Sequence, residues 1–326
     1  MAKKPSKPTK AFEVIGPLKI GHFQFAIRNK VHGSPAQEVH DGDTVGLNTA
    51  LNFSSRFLGI DAPEISFTIR TKNKFVPIGD PQWKTFWTSG AWKNMPLNPA
   101  LLSHLTARIG NGNQVASNHK KLADVARKEL IDLITAEIKA SGKTKETFWF
   151  FLAFGLEFFD QYGRTLCYLN ADRSNFTAPK KPDKLSYNER LLKTGAVAPY
   201  FIFPNIQPFL SVQPFEATNL MPVGFWKIIN AAQKLQAARK AVAAARTAQK
   251  GIFDKTQELV LLPYEIRFIA RKDSNGPDRF VIDLGKNGSN AILKPERYFT
   301  IANLEDRLFI PKEFVPLFVL NGWSVA

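Results

Sequence analysis

Asp43, Arg56, Asp61 and Glu64 fall in two nearby runs, Asp41-Gly42-Asp43-Thr44 and Arg56-Phe57-Leu58-Gly59-Ile60-Asp61-Ala62-Pro63-Glu64, and a second arginine, Arg164, follows Asp160-Gln161-Tyr162-Gly163 about a hundred residues on. Two carboxylates with a backbone carbonyl and waters make a hard oxygen site, suited to Ca²⁺ or Mg²⁺ rather than zinc. Zinc is disfavoured by the donor supply: Cys167 is the single cysteine, and His22, His32, His40, His104 and His119 show no paired ligand spacing. Phosphodiester hydrolysis needs a water made nucleophilic, a cation against the phosphoryl oxygens and donors for the charge that develops on phosphorus. A metal, a carboxylate and planar guanidiniums meet these demands, since arginine donates to two phosphate oxygens at once and stays charged. Taken singly, each piece is ordinary. Asp-Gly-Asp-Thr and Tyr162-Gly163-Arg164 are common turns, and Arg56 can pair with a neighbouring carboxylate at a surface; only their conjunction points to chemistry.

The elements that must position these residues read as strands first. From Phe12 to Ile60, short β-branched and aromatic runs broken by Gly33-Ser34-Pro35 and Asp41-Gly42-Asp43 predict a meander of antiparallel strands. The aromatic run Thr147 to Phe159, the Asp160 to Gly163 turn and Thr165 to Leu169 predict two more, with Arg164 at a strand start. Apolar residues at Leu122, Ala126, Leu130, Leu133 and Ala136 predict an amphipathic helix over 119–141. Ser186 and Glu189 have capping-box spacing, with Gly195 as a helix stop, and 227–250 is an Ala-rich helical stretch carrying six Lys or Arg and no acid. Residues 65–118 change character: Trp83, Trp87 and Trp92 sit among Pro, Gly and Asn, with Asp80 the one acid against six Lys or Arg, as in an inserted lobe. Those tryptophans either form the lobe's own core or, with Arg70, Lys72, Lys74, Lys84 and Lys93, offer a stacking surface to a single strand. Alternation at Tyr264, Ile266 and Phe268, with turn signals at Asn275-Gly276 and Asn287-Gly288, predicts strands in the last seventy residues.

In bulk, 326 residues with 44% hydrophobic and 22% charged side chains exclude a wholly disordered, collagen-like or coiled-coil chain. The 44 basic against 28 acidic residues leave +16, a surplus that attracts polyanions, nucleic acid first among them. One cysteine excludes an intramolecular disulfide. Neither a signal peptide nor an apolar run of membrane-spanning length is visible, so a soluble and intracellular protein with no membrane partner is expected, secretion staying open if the sequence is trimmed.

The order of these pieces resembles the staphylococcal nuclease (thermonuclease) family: Asp-Gly-Asp-Thr, then Arg56 to Glu64, then Asp160 to Arg164, then Asn188-Glu189 to Gly195 followed by Tyr200 and Pro204-Asn205. The likeness covers roughly 20–64 and 119–253, with 65–118 longer than the family usually has and 257–326 outside it. It implies an α+β fold built on an OB-fold, a five-stranded barrel with packed helices. Asp43, Asp61 and the backbone carbonyl of Ala62, where the family usually has threonine, would hold calcium, with magnesium the lesser choice. Glu64 would be the general base, Arg56 and Arg164 the phosphate clamp, and Tyr162 and Tyr200 would lie beside the substrate. The activity implied is calcium-dependent, largely sequence-nonspecific cleavage of single-stranded DNA and RNA leaving 3′-phosphate ends. The alternative is an inactive nucleic-acid-binding module or an interaction protein. The expected organisation is a disordered basic tail at 1–11, a nuclease-like domain at 12–256 with its insertion, and a small β-rich C-terminal domain at 257–326 that is free to recruit a protein partner.

Overall fold

The computed structural model describes residues 12–15, 18–48, 52–69, 74–160, 164–206, 224–271 and 274–326. The expected basic tail at 1–11 and Tyr162 lie outside them.

Five strands close a barrel: β1 (Leu18–Phe25), β2 (Thr44–Asn48), β3 (Asn52–Phe57), β5 (Phe150–Phe159) and β6 (Thr165–Ala171). They pair in the order β1-β2-β3-β6-β5 and back to β1, antiparallel throughout except for the parallel β3·β6 ladder, in which Leu166 stands opposite Arg56. This is the OB-fold order, and the α+β class expected from the sequence holds. Alternation decides which side chains face in. Phe23, Phe25, Val45, Leu47, Phe57, Phe150, Leu152, Cys167 and Leu169 fill the barrel, each large apolar side chain stabilising by roughly 1.5–3 kcal/mol. Arg56 and Leu166, one residue off that period, fall on the outer face. Burial pushes the Cys167 thiol up to about 12, so it is a core residue and no nucleophile.

Helices lock the barrel. The amphipathic helix is longer than its apolar spacing suggests: α3 (Asn113–Ser141) buries Leu122, Ala126, Leu130 and Ile134. α4 (Tyr187–Thr194) has the expected capping box between Ser186 and Glu189 and ends at Gly195 with φ 75°. Asn188 at its start clamps it to the barrel, donating to the carbonyls of Leu58 and Cys167 and accepting from the Leu169 amide.

The C-terminal seventy residues are not a separate domain. A second sheet runs in the order β8 (Phe280–Asp283), β9 (Arg307–Ile310), β7 (Ala198–Ile202), β4 (Gly59–Asp61), joining the chain end to the strand that carries Asp61. Ile282, Leu284, Ile292, Leu308, Ile310, Phe318 and Trp323 pack into the same core as the barrel. Nor is the segment purely β. Tyr264, Ile266 and Phe268 lie on a helix, α6 (Pro263–Ala270), where their alternation predicts a strand. Pro263 at the first helical position and Glu265, whose carboxylate accepts the Leu262 amide at 2.7 Å, start a helix there and override the short apparent period. Among the described residues Asn275-Gly276 joins no paired strands, whereas Asn287-Gly288 does turn the chain back so that Val281 bridges Leu293.

The insertion is also core. Trp83 and Trp87 on α1 (Pro81–Thr88) and Trp92 just after it are at most 2% exposed, packed with Phe67, Leu105 of α2 (Pro99–Ile109), Ile266 and Tyr298. They form the lobe's own core, continuous with the C-terminal segment, and offer no stacking surface to a strand. The basic helix α5 (Gln233–Thr247) is likewise used internally, its Arg239 and Arg246 paired with Asp306 and Glu305.

Candidate active site

Asp43 enters the site on the turn between the short strand Val39–Asp41 and β2. Gly42 lets that turn lie flat against helix α3: a Cβ there would stand 2.6 Å from the Ala126 Cβ and 3.0 Å from that of Ala62, closer than carbon atoms approach. The Asp43 carboxylate accepts from the Ala62 amide at 2.9 Å, the Thr44 hydroxyl at 3.2 Å and Arg56 Nη1 at 2.8 Å. Arg56 reaches on to Asp61, its Nη2 donating to Oδ1 at 2.6 Å, and its Nη1 lies 4.0 Å from Glu64 Oε1. β3, β4 and the turn after Asp41 thereby bring Asp43, Arg56, Asp61 and Glu64 together, as their spacing predicts.

Both aspartates are 0% exposed. Burial would push the Asp43 carboxyl up, but the Arg56 guanidinium and the hydrogen bonds from its neighbours outweigh it and hold Asp43 below the usual carboxylate range. Asp41, buried beside it, takes the opposite course: burial and then the Asp43 charge drive it well above that range. Glu64 is also raised, burial outweighing the pull of Arg267 and Arg56. Burial disfavours the charge on Arg56, yet the adjoining Asp43 and Asp61 more than offset this and keep it protonated.

Two members of the cluster were not expected. Arg267, on α6, donates through Nη2 to both Asp61 oxygens at 2.9 and 2.8 Å and through Nη1 to Glu64. A buried relay anchors its helix, in which Glu265 accepts from Arg108 and from the Tyr298 hydroxyl. The other is His119 on α3, read from the sequence as an ordinary histidine. Its Nε2 accepts the Glu64 amide at 3.0 Å, which leaves the ring proton on Nδ1. Burial first and the Arg267 charge second pull its pKa down to about 3, so the ring stays neutral and serves as an acceptor that fixes the Glu64 backbone.

Arg164 stands immediately before Thr165, which pairs with Ser55 at the start of the β3·β6 ladder, whose next pair sets Leu166 opposite Arg56. Its guanidinium is held by Asp160, Nε to Oδ2 at 2.7 Å. Tyr200, on β7 beside Gly59, is committed elsewhere: its ring stacks on Tyr264 at 5.4 Å and tilts against Phe309 at 4.7 Å, while its hydroxyl accepts from Arg279 at 2.7 Å.

The calcium expectation does not fit these groups as they stand. Among the described residues no three His, Cys, Asp or Glu side chains are disposed to hold a metal ion. The physical reason is Arg267 together with Arg56: every oxygen of Asp61, and one each of Asp43 and Glu64, already accepts a guanidinium donor. Two unit charges about 4 Å apart repel by about 4 kcal/mol at an effective dielectric near 20, and a divalent ion beside a guanidinium meets about twice that. The arrangement instead sets the Glu64 carboxylate beside two guanidiniums, those of Arg56 and Arg267. No protein-family profile matches the chain, and no curated protein matches its sequence.

Proposed function

We propose that the chain is a phosphodiesterase that cleaves single-stranded DNA and RNA with little regard to sequence. The observation that carries this reading is Arg56 held between buried Asp43 and Asp61, with Glu64 4.0 Å away. The order of motifs shared with the staphylococcal nuclease family supports it. In this reading Glu64 takes a proton from the attacking water, and its raised pKa makes it a stronger base than an exposed carboxylate. The oxygen of that water bonds to phosphorus while the bond to the leaving oxygen breaks, and Arg56, with Arg164 after exchange from Asp160, donates to the phosphoryl oxygens as charge builds there. His119 and the Ala62 amide keep the base and Asp43 in place. The +16 charge supplies affinity for any phosphate backbone, which fits weak sequence preference. Products with 3′-phosphate ends follow from the family likeness alone.

A second reading, a binding module on the same barrel that does no chemistry, is favoured by one observation: the carboxylates and Arg164 are already engaged by partners within the chain. Incubating an end-labelled single strand with the full chain, with and without added Ca²⁺ or Mg²⁺, separates the two. Cleavage that Glu64→Gln slows by about 10²–10⁴ supports the enzyme. Retention of the strand, uncut under every condition, supports the binder.

A further inference from the structure

We propose that Arg267, bridging Asp61 and Glu64, supplies the positive charge that a divalent ion would bring to this cluster, so that the native chain does not take one up there and the guanidinium does the holding that an ion would otherwise do. The inference rests on reading the cluster as a phosphate-handling site, and it sharpens that reading by naming the cation that its carboxylates already hold.

Three observations carry it. First, the contacts are those of a bridging cation: one Arg267 guanidinium joins both oxygens of a fully buried aspartate to the neighbouring glutamate. Second, most of the carboxylate charge is met without any ion, since two guanidiniums, Arg56 and Arg267, face the three carboxylates Asp43, Asp61 and Glu64, and Asp43 accepts the Ala62 amide besides. Third, Arg267 is delivered by architecture rather than by a free surface loop. α6 buries Ile266, Phe268 and Ile269, is tied through Glu265 to Arg108 and Tyr298, and is followed by β8, whose neighbour β9 pairs with β7 beside the Asp61 strand. Asp61 and Glu64 lie 206 and 203 positions from Arg267, so the chain beyond the barrel closes back on the site to place this one side chain. A guanidinium so fixed sets apart two sites that share the same aspartates: one open to calcium, one already filled.

The test is calorimetric titration of the full chain with CaCl₂ in the absence of nucleic acid, for wild type, Arg267→Gln and the double variant Asp61→Asn/Arg267→Gln, each checked for native circular dichroism. Wild type should give no saturable heat at millimolar calcium, Arg267→Gln should gain a site at least about tenfold tighter than any residual wild-type binding, and the double variant should lose it again. Equal calcium affinity in wild type and Arg267→Gln overturns the proposal, as does a folded Arg267→Gln that binds none. Should Arg267→Gln not fold, wild type decides alone: saturable calcium binding that Asp61→Asn abolishes overturns it, and the absence of such binding upholds it. Because no strand is present, this outcome is independent of whether the chain cleaves nucleic acid.

Discussion

Arg56 is the side chain on which the cluster depends, because its one guanidinium satisfies two aspartates that have no exposure to water. Removing one partner of a buried ion network leaves an uncompensated charge, which costs about 3–5 kcal/mol. Arg56→Ala should therefore lose about that much in urea unfolding at neutral pH, far more than an exposed ion pair such as Lys128–Asp132 would give up. Gly42→Ala should cost about 1–3 kcal/mol in the same measurement, since its new methyl would overlap Ala126 and Ala62. At this scale the sequence is informative where contacts are local. Asp43, Arg56, Asp61 and Glu64 can be picked out because two turns and two strands separate them. Arg267 cannot, since nothing local ties an arginine in Pro-Tyr-Glu-Ile-Arg-Phe-Ile-Ala to Asp61; its charge, with Glu265 the other one in an otherwise apolar run, is the only signal. His119 is hidden for a related reason: its role depends on a backbone amide 55 residues away, which no side-chain pattern reports.

The elements differ in how far local patterning fixed them. Periods repeated over many residues gave α3 and the barrel strands, whereas the three-residue alternation at Tyr264 to Phe268 was too short to separate strand from helix, and Pro263 with Glu265 decided it. α3 also carries a pH dependence. His119 has a folded pKa of about 3, below its unfolded value near 6.5, so between these limits the unfolded chain binds more protons than the folded one. The stability this histidine contributes is therefore whole above about pH 6.5 and is lost progressively as pH falls toward 3. Glu64, raised by burial, acts in the opposite sense, its contribution being lost as pH rises through its folded pKa. Thermal melts should show a steeper fall below pH 6.5 in wild type than in His119→Gln, which keeps an acceptor for the Glu64 amide but does not titrate. Equal slopes would show that the ring is not held neutral.

For the whole molecule, the decisive departure from expectation is the end of the chain. Composition and turn signals mark 257–326 as a separate unit, but sheet pairing is non-local and leaves no mark on composition. β8 and β9 complete a sheet with β7 and β4, and Ile282, Leu308, Ile310, Phe318 and Trp323 share the barrel core. At roughly 1.5–3 kcal/mol for each such side chain, their loss rivals the about 5–15 kcal/mol by which whole domains are stable. Truncation after residue 256 should accordingly abolish cooperative unfolding, followed by near-UV circular dichroism; a truncated barrel that melts cooperatively would contradict the shared core. The site draws on the same union, since α6 brings Arg267 to residues of the barrel's outer face. The most direct test of the central claim is the single-turnover rate at which the full chain cuts a short single strand, compared between wild type and Glu64→Gln at neutral pH. Cutting by wild type with a fall of about 10²–10⁴ in the variant is the expected result; equal rates, or a wild type that binds the strand and leaves it whole, would contradict it.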